Sequence, residues 1–78
     1  MELNDKNVFD TLIRPCKSGK FIFVLCKDKK SVKILKALLK EYKIPSKRGC
    51  YMWKGIIVIG IQLLEEWNEY FDYIIEVE

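Results

Sequence analysis

Histidine is absent from the 78 residues, and with it go imidazole general bases, histidine-activated nucleophiles and the commonest zinc ligand. Cysteine is sparse: Cys16, Cys26 and Cys50 are odd in number, widely spaced and without a CxxC pair, so they read as reduced, partly buried thiols. Base is missing from the last 24 residues, which carry six acids and nothing basic after Lys54. A long apolar run is missing too. The stretch from Gly55 to Leu64 is broken by Gln62 and falls short of the ~20 apolar residues that span a bilayer. Glu2, Asp5 and Asp10 around Lys6 give neither the basic start nor the apolar stretch of a signal peptide, so a cytoplasmic location is expected. No metal or cofactor motif is read.

What is present is a globular composition, 50% hydrophobic and 32% charged, in a chain too short for two cores. Residues 1–78 are therefore expected to form a single domain. Asn4 or Asp5 can cap a helix over 5–14, with Val8, Phe9, Leu12 and Ile13 inward and Pro15 ending it. Phe21 to Cys26 is continuously apolar and reads as a strand buried on both faces. Asp28 or Ser31 can cap a helix to about Lys43, whose buried side is Val32, Leu35, Leu38, Leu39 and Tyr42, and Pro45 closes it. Lys47 to Trp53, a turn at Lys54-Gly55 and Ile56 to Ile59 suggest a hairpin. A helix over 62–71 follows, with Leu63, Leu64, Trp67 and Tyr70 or Phe71 inward and Glu65, Glu66 and Glu69 in solvent. Tyr73 to Glu78 alternates as a last strand.

These elements predict an α+β fold, a ferredoxin-like βαββαβ sandwich over 20–78 with an extra N-terminal helix. A small three-stranded parallel α/β fold is the alternative. In the sandwich, the N-terminal helix is expected to cover the sheet face that the two long helices leave bare.

Catalytic constellations are not found, and a non-enzymatic protein is expected. Cys26 is the one nucleophile candidate, since Lys27, Lys29 and Lys30 and a helix N-terminus would lower its pKa, although a core thiol is the simpler reading. Gly19-Lys20 lacks the spacing of a phosphate-binding loop. The aliphatic run Ile56–Ile59 offers no aromatic platform for stacking bases, and Tyr51 and Trp53 either stack on a base or pack on the first helix.

The feature left over is a stripe. Lys29, Lys33, Lys36, Lys40 and Lys43 recur at 4-3-4-3 spacing and align along one helix face. Twelve bases and two acids, Asp28 and Glu41, lie between Lys17 and Lys54. Like charges three or four apart repel by roughly 0.2–0.5 kcal/mol per pair, so helix stability alone does not select this pattern. The stripe is either a solvated face neutralised by the acidic helix expected beside it, or a surface tracking DNA or RNA phosphates, extended by Lys17, Lys20, Lys47 and Arg48. A third reading has it meet an acidic protein surface. The functional expectation is thus a small binding domain, sequence-nonspecific for nucleic acid. The alternative is a protein-interaction or homodimerisation module using the open sheet face and the edge strands.

Overall fold

The computed structural model describes residues 6–48 and 55–77. Asn4 and Asp5, and most of the 47–53 strand with Cys50, Tyr51 and Trp53, lie outside the described residues.

A π-helical turn, Phe9–Ile13, runs directly into an α-helical turn, Arg14–Lys17, and the two together are helix α1. Helix therefore continues through Pro15 instead of stopping at it. The Arg14 N–H reaches back to the Phe9 carbonyl, an i→i−5 bond that widens the turn just before the proline. A regular helix would set the Pro15 ring against the Thr11 carbonyl, and the wider turn relieves that clash. Val8, Leu12, Ile13 and Cys16 are buried, whereas Phe9 lies over the surface against Tyr42, with ring centroids 6.4 Å apart.

Strand β1 is Ile22–Cys26 and helix α2 is Lys29–Glu41, with the Asp28 carboxylate capping α2 by accepting the Ser31 N–H at 2.8 Å. Val32, Leu35 and Leu39 face the core, each contributing about 1.5–3 kcal/mol by leaving water. Strands β2 (Ser46–Arg48), β3 (Ile57–Gly60) and β4 (Tyr73–Val77) complete one sheet in the order β2-β3-β1-β4. The expected hairpin is replaced by parallel pairing: Ser46 opposes Ile57 and Arg48 opposes Ile59.

Every described strand pair is parallel. The described residues thus form a small α+β domain with two helices and a four-stranded parallel sheet, and the ferredoxin-like expectation fails on strand direction at every neighbouring pair, since its sheet is antiparallel throughout. Its strand order, with β1 and β3 in the centre, does hold. The three-stranded alternative had the parallel direction right and missed one strand. Parallel strands want both faces covered, and the two uninterrupted apolar runs are the sequence mark of that arrangement.

The covers also differ from expectation. Helices α1 and α2 share one face, packing on Ile22, Val24 and Cys26 of β1 and on Ile57 and Ile59 of β3. The other face, Phe23 and Val58, is covered by Leu63, Trp67 and Phe71 from the segment between β3 and β4. That segment holds only a 3-10 turn, Glu65–Glu69, where a helix over 62–71 was expected; Leu64 and Tyr70 point outward. The chain crosses from β1 to β2 past β3 on the α2 face, and from β3 to β4 past β1 on the other. Opposite directions on opposite faces give both crossovers the same hand, consistent with the strong handedness preference of parallel connections. Asp72 fastens β4 to the start of β1, because its Oδ2 accepts the Phe21 N–H and its own N–H donates to the Phe21 carbonyl, both at 2.8 Å.

Candidate anion-binding surfaces

The α2 lysines stand as the spacing required, with one exception. At ~100° per residue, Lys29, Lys33, Lys36 and Lys40 fall within about 60° of arc and along ~16 Å of helix. All are exposed, and among the described residues none has a carboxylate within ion-pair distance. The exception is Lys43. Helix α2 stops at Glu41, and Lys43 follows in the left-handed region at φ 59°. Its N–H donates to the Lys40 carbonyl and the Ile44 N–H donates to the Leu39 carbonyl, a Schellman ending in which apolar Ile44 folds back on Leu39.

That turn has a consequence for the stripe. Lys43 leaves the helix line but lines a groove of about 480 Å³ together with Lys36, Lys40, Ile44, Pro45 and Ser46. Three ammonium groups and a hydroxyl therefore border one concavity at the amino ends of the strands. Lys17, at the end of α1, and Lys20, two residues before β1, are exposed near the same edge. Strand spacing of ~4.8 Å puts the starts of β1 and β2 about 10 Å apart across β3.

The acidic segment does not lie beside this surface. Glu65, Glu66 and Glu69 are exposed on the 3-10 turn, on the sheet face opposite α2. The expected neutralising neighbour of the lysine helix is therefore displaced, because the connection from β3 crosses over the far face. Lys47 and Arg48 also separate from the stripe. Lys47 opposes Val58 and so shares the far face, while Arg48, the last residue of β2, opposes Ile59 and so starts from the α2 side of the β2 edge, where it also borders a second concavity with Phe23, Gly60, Ile61, Gln62 and Trp67. Sequence reading missed that grouping, since Trp67 there served only as the inward side of a helix. The available signal was Gly60, a glycine closing an apolar strand.

Cys26 is 2% exposed, and burial first, then the neighbouring Asp28 charge, push its thiol above the ordinary cysteine value. Lowering by Lys27, Lys29 and Lys30, the basis of the nucleophile reading, is not what this environment produces. Cys16 is likewise raised by burial. Among the described residues no three His, Cys, Asp or Glu side chains converge as a metal site, and no helix is long and apolar enough to cross a membrane.

No protein-family model, curated protein or solved structure matches the chain.

Proposed function

We propose that the chain is a small non-enzymatic binding domain whose α2 face and adjoining groove hold the phosphate backbone of nucleic acid without reading base sequence. One observation carries this reading: Lys29, Lys33, Lys36 and Lys40 stand exposed and unpaired by any described carboxylate, with the acidic segment on the other side of the sheet. A row of like charges left without counter-ions costs helix stability and lowers the energy of an approaching polyanion. Lys43 is brought to the same groove as Lys36 and Lys40. Lys47, on the other face, and Arg48, at the β2 edge, are outside this surface and reach a strand only if it wraps that edge.

The test is a salt series on mixed-sequence duplex DNA and single-stranded RNA. If all five stripe lysines meet duplex phosphates, log K falls against log salt with a slope of roughly −4 to −5. Combined reversal of Lys33, Lys36 and Lys40 to Glu is expected to abolish most of that slope. Binding that survives the triple reversal unchanged sinks the proposal.

A second reading, pairing with another copy of this chain, is favoured by the open side of β4. It is an edge strand with Tyr73 46% exposed, and Tyr70 beside it is 53% exposed. Sedimentation at high concentration showing only monomer would remove it.

A further inference from the structure

A second site is built on the other face of the sheet, and it does not rest on the phosphate-backbone reading. The concavity beside Trp67 measures about 500 Å³, inside the roughly 300–1,000 Å³ of small-molecule sites. Its walls come from three places: Arg48 at the end of β2, Gly60, Ile61 and Gln62 at the end of β3, and Trp67 of the 3-10 turn, with Phe23 behind them. Arg48 and Gly60 are the last residues of adjacent parallel strands, so the concavity opens toward the carboxyl edge of the sheet.

From β3 the chain leaves toward β4 over this same face, so Ile61 and Gln62 turn away from the strand end and Trp67 follows on the connection that covers Phe23.

The lining fixes the chemistry. Among the described residues Arg48 is exposed with no ion-pair partner, and Gln62 is exposed with no hydrogen-bond partner. A guanidinium presents a planar fork suited to carboxylate or phosphate, and Gln62 adds a donor and an acceptor. Trp67 is half-buried, steadied by Phe23 with ring centroids 6.2 Å apart, so its indole offers a fixed flat surface. No described carboxylate lines the space. Gly60 is required by the same packing, since a Cβ there would lie 2.9 Å from Phe23 Cζ.

We propose that the concavity formed by Arg48, Gln62 and Trp67 binds a small planar heteroaromatic phosphate of mononucleotide size, the ring against Trp67 and the phosphate on Arg48.

The experiment follows indole fluorescence of the Trp53→Phe protein, in which Trp67 is the remaining tryptophan, titrated separately with adenosine monophosphate, adenosine and inorganic phosphate. Saturable quenching by the monophosphate is expected, with adenosine weaker by about tenfold or more, as loss of a charge-assisted contact implies. Arg48→Gln should bring the monophosphate down to the level of adenosine, Arg48→Lys should recover part of the difference, and circular dichroism should show each variant folded. Reversal of Lys33, Lys36 and Lys40 should leave the titration unchanged, so failure of the backbone-binding proposal and failure of this one are separable. No saturable response to the monophosphate, equal binding of adenosine, or an Arg48→Gln variant with full affinity overturns the assignment.

Discussion

Gly19 and Lys43 occupy the same position in the same kind of helix ending. Each is the left-handed residue of a Schellman turn, at φ 86° and φ 59°, and each is followed by an N–H that reaches back five residues, Lys20 to Pro15 and Ile44 to Leu39. Glycine holds this conformation without a Cβ penalty, whereas lysine bears a cost of roughly 1–2 kcal/mol.

Lys43→Gly is therefore expected to stabilise the fold by about 0.5–1 kcal/mol, the relieved strain being partly offset by a freer unfolded chain. Urea unfolding measures it. Lys43→Ala, which keeps the Cβ, should give no such gain, and destabilisation by the glycine would show that Lys43 is held by contacts other than those described.

The Asp28 cap gives an acid-side prediction. Hydrogen bonds from Ser31 lower the Asp28 pKa below its ordinary value. Its contribution is therefore present above the unfolded carboxylate pKa of about 3.9 and is lost as pH falls through the lower folded value. Asp28→Ala should reduce the melting temperature near neutral pH and matter less in acid. Asp28→Asn, an equally good cap without a charge, should retain most of the stability and flatten the acid limb.

The buried thiols act at the alkaline end. Cys16 and Cys26 have raised pKa values in the fold, so the stability they contribute is complete below the unfolded thiol value of about 8.5 and declines as pH rises above it. Unfolding midpoints should drop across that range. Alkylation of the native protein at neutral pH should be slow at both positions and accelerate in denaturant; rapid native modification of Cys26 would reinstate it as a nucleophile.

Gly60→Ala should destabilise by about 1–3 kcal/mol, because the new methyl meets the Phe23 ring, which is itself wedged against Trp67 and Phe71. In a Phe23→Leu background the same change should cost less. Additive costs in that double-mutant cycle would separate the glycine from the ring.

Much of the core was legible in the residues. The continuous apolar runs located β1 and β3 as central strands, alternation placed Ile75 and Val77 opposite Ile74, and of the two caps offered, Asp28 and Ser31, the first is the one formed. Strand direction was not legible from the elements as ordered. The two arrangements differ only in whether the eight residues between β2 and β3 reverse the chain or return it parallel, which the residue pattern does not decide, and the 3-10 turn was hidden as well. Its placement was obscured because Leu63, Trp67 and Phe71, four residues apart, satisfy a helical period equally well. The lysine stripe was read correctly as exposed, but its last member was assigned to the helix because periodicity carries no sign of a left-handed turn at Lys43. The grouping of Arg48 with Gln62 and Trp67 depends on strand order, which no local pattern encodes.

The all-parallel pairing also bears on how the chain reaches its structure. With no described hairpin to nucleate the sheet, each pairing must close a loop first, from the eight residues between β2 and β3 to the span joining Ile22 with Tyr73. Strand β1 stays half-unpaired during synthesis until β4 has been made, its apolar edge open to neighbouring chains. Slow folding and a dependence of yield on temperature and chain concentration follow from that order of events.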